Sequence, residues 1–269
     1  MHSEIQKRYL FSQQLAKEVG KIALDFYLNR TRLEIQYKQG EQQDLVSIAD
    51  KTVEEKIKSA LQQHFPDDGF LGEESGADNP EREFCWVVDP IDGTSSFLYG
   101  LQAWCISIAV LHNKQIVAGV IFDPLHNELF RATAGQGAFL NDEPIHTAKS
   151  NSLQQGMMGL GVSQRVKPET FTPVLHQVLL DGGMFVRNGS GALMLAYVAA
   201  GRLIGYFEPH INAWDTAAGI ILINEAGGKT NDFLQNDGLI NGNYILAACS
   251  DAVFTRLLNI KNTLTEEGD

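Results

Sequence analysis

Residues 84–94, FCWVVDPIDGT, restrict what this chain can become more than any other segment. The apolar run 84–88 is short, β-branched and aromatic, and reads as a strand. It ends in Asp89 and Asp92, separated by Pro90 and Ile91, with Gly93 and Thr94 following at a possible helix start. Pro90 cannot continue a hydrogen-bonded ladder and Gly93 relaxes the backbone, so both carboxylates and the Ile91 carbonyl can face one side of a tight turn. Hard oxygen donors of this kind suit Mg²⁺ or Mn²⁺ rather than zinc. Asp, Pro and Gly also make ordinary solvated turns. Here, however, the string is accompanied by further acidic groups at Glu73, Glu74 and Asp215.

The 269 residues carry 33 Asp and Glu against 21 Lys and Arg, a net charge of -12, which argues against a nucleic-acid surface. An anionic substrate remains compatible with that balance if bound metal offsets the carboxylates where it docks. Cys85, Cys105 and Cys249 are scattered, with no CxxC pair, so neither a disulfide framework nor a zinc site is expected. No apolar run approaches the ~20 residues of a membrane helix, and the N-terminus does not read as a secretion signal. The expectation is a soluble cytoplasmic protein with no membrane partner.

The pattern along the chain predicts layered α and β structure. Leu15, Val19, Ile22 and Phe26 recur at helical spacing over residues 4–28, and Ala49, Val53, Ile57, Ala60 and Leu61 do so over 48–65. A polar loop is expected at 37–44. Strands are expected at 84–88, 104–111, 115–122 and 128–131, then near Met157 and at 184–187 and 203–207. Helices are expected after Pro168 and over 192–200 and 216–225, and weak structure over 263–269. Gly159 and Gly161 lack a third glycine at Gln164, which removes a dinucleotide fingerprint. Asn188 and Ala192 remove a nucleophile elbow at Ser190.

In order along the chain, DLVSIAD ending at Asp50, GEES at residues 72–75, DPIDGT followed by SSF, WDTAAG at 214–219 and EAGG at 225–228 resemble the inositol monophosphatase family, within the lithium-sensitive, metal-dependent phosphatases. The resemblance covers nearly the whole chain. It implies a five-layered αβαβα sandwich, an α+β or α/β fold, as one domain over 1–269. The half at about 1–150 would carry most metal ligands, and the half at about 151–269 would carry Asp215 and the substrate contacts. A homodimer is common in the family.

By this resemblance Glu73, Asp89, the Ile91 carbonyl, Asp92 and Asp215 are expected to hold two or three Mg²⁺ ions, with Mn²⁺ as a substitute. Asp50 and Thr94 are the expected catalytic pair: Asp50 accepts a hydrogen bond from Thr94, which orients and helps deprotonate a metal-activated water. As a bland alternative, each could simply cap a helix. Substrate contacts are expected from Glu73, Asp92, Gly93, Thr94, Gly189, Ser190, Gly191, Glu208 and Asp215. Lys38 could approach the phosphate or lie in solvent, and His210 could touch substrate or face water.

Ser95 and Ser96 replace the Thr-Asn pair frequent in the family, and the basic residue that some nucleotide or histidinol phosphatases carry after DGT is absent. Both departures bear on the substrate rather than the chemistry. The expected substrate is myo-inositol monophosphate or a similar phosphorylated polyol or sugar. Histidinol phosphate, fructose 1,6-bisphosphate and adenosine 3',5'-bisphosphate are the alternatives within the same machinery. A regulatory binding protein that keeps the fold is the alternative from another class.

Overall fold

The computed structural model describes residues 2–30, 35–37 and 45–266. In chain order its elements are helix α1 (His2–Leu28), strands β1 (Ile35–Tyr37) and β2 (Leu45–Ser47), helix α2 (Ile48–His64), strands β3 (Gly69–Gly72), β4 (Gly76–Asp78) and β5 (Phe84–Asp92), and the short helix α3 (Thr94–Tyr99). Strands β6 (Cys105–His112), β7 (Gln115–Asp123), β8 (Glu128–Thr133), β9 (Ala138–Leu140) and β10 (Glu143–Ile145) follow. The rest alternates: β11 (Met157–Leu160), α4 (Pro168–Leu180), β12 (Met184–Val186), α5 (Gly191–Ala199), β13 (Gly205–Ile211), α6 (Ala213–Glu225), β14 (Lys229–Thr230), α7 (Gly238–Asn241), β15 (Asn243–Ala248) and α8 (Asp251–Glu266).

A large sheet has the order β10-β9-β8-β7-β6-β5-β3-β4, and a smaller one the order β12-β11-β13-β15-β14. The large sheet is antiparallel except where β3 runs parallel to β5. Strand alternation sorts its side chains into two cores. On one face Trp86, Val88, Ile106, Ile108 and Phe122 meet Leu15, Val19 and Ala23 of α1 and Val53 and Ile57 of α2. On the other, Cys85, Val87, Leu111 and Ile121 meet Leu193 and Leu195 of α5 and Ala217 and Ile221 of α6.

That second core continues to Tyr206, Ile245 and Ala247 of the smaller sheet. The outer face of the smaller sheet, through Met158, Phe207 and Leu246, is covered by Val178 of α4 and Val253 and Leu257 of α8. The layers therefore run helix, sheet, helix, sheet, helix, as the resemblance implied. Gly119 of β7 faces α6 so closely that a Cβ there would lie 2.7 Å from the Ala218 carbonyl oxygen.

Several expectations need correction. The strand expected to stop at Val88 continues to Asp92, because Pro90 falls within an irregular stretch where the pairing with β6 changes register. Strands β1, β2, β3, β4, β9, β10, β14 and β15 were not anticipated, and most are too short to show a period of two; of the loop expected at 37–44, residues 38–44 lie outside the described residues. Helix α8 was also missed; it runs to Glu266 across the start of the stretch 263–269 expected to be weak, whose last three residues lie outside the described ones. Among the described residues no helix is long and apolar enough to cross a membrane.

One buried ion pair ties α1 to the large sheet. Arg8 Nε and Nη2 each donate to Asp68 at 2.7 Å, just before β3, and Trp86 Nε1 donates to the same carboxylate at 2.8 Å. The guanidinium lies over the Phe84 ring, 3.8 Å from its centroid. Without Asp68 the guanidinium keeps only the partly exposed Glu4, 3.2 Å from its Nη1, so Asp68→Ala is expected to destabilise the fold by about 2–4 kcal/mol, somewhat less than the loss of a buried charge's sole partner. Urea unfolding of the two proteins measures this; a loss below about 1 kcal/mol, the range of an exposed pair, would contradict it.

Candidate active site

The site begins with a problem of parity. Asp89 and Asp92 are three residues apart, so a regular strand would send their side chains to opposite faces. The pairing shows how they converge: Asp89 lies opposite Ser107 but Asp92 opposite Cys105, three steps against two. The extra residue is a bulge that returns both carboxylates to one side. Ile91 N donates to Asp89 Oδ1 at 2.9 Å and fixes the bend.

Gly93 follows with φ 95, and a Cβ there would meet the Ala103 carbonyl oxygen at 2.6 Å, so the position is restricted to glycine. Thr94 then opens α3. Its Oγ1 is 3.2 Å from Asp50 Oδ1 and 3.2 Å from the Ile91 carbonyl oxygen, and its single proton can be given to either.

Asp50 is fully buried and sits in the first turn of α2. The capping alternative is refined here, since Ser47 is the cap and Asp50 the third helical residue of a capping box. Ser47 N and Oγ donate to Asp50 Oδ2 at 2.8 and 2.6 Å, leaving Oδ1 turned to Thr94. Burial pushes the Asp50 carboxyl up to about 6, and the hydrogen bonds from Ser47 oppose that rise. Thr94 likewise is not the cap of α3, a place held by Gly93.

Asp215 arrives from the second half of the chain by the same device, as the third residue of α6 in a capping box with Asn212, whose N donates to Asp215 Oδ2 at 3.1 Å. Ser107 Oγ donates to the Trp214 carbonyl at 3.0 Å and pins the start of α6 to β6. The carboxylates of Asp89, Asp92 and Asp215 come within 4.8 Å of one another. Glu73, expected as a fourth carboxylate ligand, falls outside that close group. Its N donates to the Val88 carbonyl at 3.2 Å, and its charge raises the pKa of Asp50, Asp89, Asp92 and Asp215.

Burial is the first cause of the raised pKa at each of these aspartates. Asp89 and Asp215 are pushed well above the usual range, with the neighbouring carboxylates adding to the effect of burial. Asp92 rises to about 6, held back by Ser190 Oγ and Ala192 N, which donate to its Oδ2 at 2.5 and 2.7 Å. A cluster of hard oxygen donors whose ionised forms repel one another is the donor set a divalent cation satisfies, so these residues fit Mg²⁺ or Mn²⁺.

The cluster opens into a cavity of about 430 Å³ whose wall includes Asp92, Asp215, Arg187, Gly189, Gly191 and Glu208. Ser190 reaches this wall as well, but its hydroxyl proton goes to Asp92 and its oxygen also accepts Leu193 N at 3.2 Å. Ser190, expected with its two glycine neighbours to form a turn against the substrate, thus lines the cavity while its hydroxyl braces a carboxylate. Gly189 has φ 98 and a Cβ there would meet Ser96 Oγ at 2.6 Å; Ser96 Oγ donates to the Asn188 carbonyl at 3.1 Å. One of the two departures from the family pattern therefore locks this turn to α3, and the other, Ser95, lines the cavity.

Glu208 on β13 is buried and accepts Tyr206 OH at 2.5 Å. Burial pushes its carboxyl up to about 7, against the pull of the Tyr206 hydrogen bond and of Arg187. His210 does not line this cavity; its Nε2 lies 3.1 Å from the Asn241 carbonyl oxygen. Lys38 lies outside the described residues. Sequence reasoning passed over Ser47, Arg187 and Tyr206. Of these only Ser47, three residues ahead of an Asp at a helix start, carried a readable signal.

The sequence profile of the inositol monophosphatase family matches residues 4–262. The Nus factor SuhB of Pasteurella multocida strain Pm70 is 35% identical over 256 residues, covering 94% of this chain and 95% of that protein. The inositol-1-monophosphatase of Mesorhizobium japonicum is 40% identical over 212 residues, covering 76% and 80%. Among solved structures, the extragenic suppressor protein suhB of Bartonella henselae matches with a TM-score of 0.85 at 34% identity, over 92% of this chain and 95% of that one.

Proposed function

The chain belongs to the inositol monophosphatase family and is a metal-dependent phosphatase, and from that premise we propose that it hydrolyses a small phosphorylated polyol, myo-inositol monophosphate first, with Mg²⁺ as cofactor and water as nucleophile. The observation that carries this reading is the carboxylate cluster opening into a polar cavity of about 430 Å³. That volume lies within the ~300–1,000 Å³ usual for small-ligand sites.

Glu73, Asp89, the Ile91 carbonyl, Asp92 and Asp215 would hold two or three cations. Bound there, these supply neutralisation of the phosphate charge and acidification of water. Thr94 Oγ1 takes a proton from the attacking water as it passes its own to Asp50 Oδ1, 3.2 Å away. Asp50, pushed to about 6, is still ionised at neutral pH and ready to receive it. Ser47 keeps Asp50 Oδ2 occupied, so the proton can arrive only at the oxygen facing Thr94. Backbone N–H groups at Gly93 and Thr94 would hold phosphate oxygens.

At the other end of the cavity Glu208 is an acceptor suited to the hydroxyls of the alcohol, with Gly189 and Gly191 leaving room for a ring. We read the chain as one domain whose two halves share this site, supported by the core running from Val87 to Ala247. A homodimer, a cytoplasmic setting and lithium sensitivity belong to the same reading.

A panel of inositol phosphate, histidinol phosphate, fructose 1,6-bisphosphate and adenosine 3',5'-bisphosphate with Mg²⁺, with and without Li⁺, tests the substrate. The inositol ester is expected to show the highest kcat/KM and to be inhibited by Li⁺. No phosphate release from any polyol phosphate would sink the reading. Arg187 in the cavity wall favours a second anionic group as the runner-up, and a bisphosphate leading the panel would establish it. A binding role beside catalysis is a further reading, favoured by the relative named Nus factor SuhB.

A further inference from the structure

We infer that Glu54 is a positioning residue that holds the turn carrying Glu73 and so sets the affinity of the site for divalent cations. The inference rests on the reading of Glu73 as a ligand. Glu54 lies in α2 one turn beyond Asp50 and is only 2% exposed. Its Oε2 accepts Glu74 N at 2.9 Å and its Oε1 accepts Ser75 N at 2.8 Å, so both oxygens are spent on the two residues that follow Glu73. On the other side of the turn Glu73 N is bonded to the carbonyl of Val88, the residue before Asp89 in the ligand strand β5. The Glu73 backbone is therefore gripped from α2 and from β5 together.

The fit is close. A Cβ on Gly72 would lie 2.4 Å from Glu54 Oε2, so the missing side chain at residue 72 is what lets the carboxylate reach the turn. A buried carboxylate is costly to maintain, and a purely structural brace for two N–H groups could use a backbone carbonyl or a neutral acceptor instead. Residues four apart share one face of a helix. Asp50 aims from that face at Thr94, and Glu54 aims from it at the Glu73 turn, so α2 fixes the spacing between the proton acceptor and a metal ligand.

In Glu54→Gln the amide offers one acceptor oxygen but turns an NH₂ toward the second N–H, which loosens the turn while preserving side-chain volume. Titration calorimetry with Mn²⁺ on the folded, substrate-free protein is expected to show affinity falling about 10–100-fold, the range found when a residue supporting a metal ligand is removed. The Mg²⁺ concentration for half-maximal activity should rise in parallel, with kcat at saturating Mg²⁺ nearly unchanged. Gly72→Ala, whose Cβ would press on both Glu54 Oε2 and the Phe70 ring, should reproduce the loss without touching the Glu54 charge.

A double-mutant cycle separates this from general destabilisation. If Glu54 acts through Glu73, adding Glu54→Gln to Glu73→Gln causes no further loss of Mn²⁺ affinity; additive losses overturn the inference. Unchanged affinity in Glu54→Gln, with Glu73→Gln impaired, also overturns it and leaves the assignment of Glu73 standing. Unchanged affinity in Glu73→Gln overturns that assignment and the inference with it.

Discussion

Raising the pH of the metal-free protein from 4 to 7 is expected to destabilise it, and Mg²⁺ added at pH 7.5 to restore much of the loss. Asp50 and Asp92 are raised from about 3.8 to about 6, Glu208 to about 7, and Asp89 and Asp215 move further in the same direction. A carboxyl with a raised folded pKa keeps its proton in the folded chain at a pH where the unfolded chain has released it. Its contribution is therefore whole below pH 4 and lost as pH climbs through the folded value. A rise from 3.8 to about 6 corresponds to about 3 kcal/mol for one group. The aspartates share protons, so the sum over them is smaller than the separate values added.

For a chain of this size each kcal/mol moves Tm by about 2–4 °C, which places the melting temperature in EDTA about 10 °C lower at pH 7.5 than at pH 5. Carboxylates with lowered pKa, such as Asp181 beside Arg256, gain their stabilisation below about pH 5 and do not oppose the trend from there to pH 7.5. Mg²⁺ should raise Tm more at pH 7.5 than at pH 5, because only the ionised cluster binds it well. Asp89→Asn removes one of the crowded charges. It is expected to melt higher than the parent in EDTA at pH 7.5, to lose the Mg²⁺-linked rise, and to be inactive. Stability in EDTA that increases steadily from pH 4 to 7 would refute this account of the cluster.

The second large effect is on turnover. Thr94→Ala removes the one hydroxyl that bridges Asp50 to the Ile91 carbonyl and leaves every carboxylate of the cluster in place. We expect kcat to fall about 10²–10⁴-fold, the usual worth of a placed proton-transfer group, while the Mg²⁺-dependent rise in Tm persists. Thr94→Ser should recover most of the rate, since the proton path needs the oxygen rather than the methyl. Asp50→Asn should resemble Thr94→Ala in kcat, because an amide cannot take the proton. Near-normal turnover in Thr94→Ala would remove the residue from the mechanism.

The parts of this site that the sequence disclosed are those where neighbours along the chain are also neighbours in space. Asp89, Ile91, Asp92 and Thr94 lie in one string, and the long helices and the central strands of the large sheet announced themselves by their apolar period. The hydrogen bond between Asp50 and Thr94 spans 44 positions, and it was anticipated only through the ordered motifs of a family. The bulge between Asp89 and Asp92 had no such signal. Its cause is the pairing with β6, and a register cannot be read from one strand alone. The same holds for the bond from the Ser190 hydroxyl to Asp92, which joins residues 98 positions apart and has no signal in either local segment. Strands of three residues, such as β9 and β10, are too brief for a period of two to emerge.

The close approach of Gly119 to α6 places a limit on how this chain can drift. Helix α6 carries Asp215, and its depth against the sheet is set at residue 119 by a carbon that is not there. Any side chain at that position acts as a shim, lifting the helix and withdrawing one carboxylate from its two companions on β5. Constraint on residue 119 is thus a constraint on distance alone, exerted at a position with no side-chain atom to bind, donate or ionise.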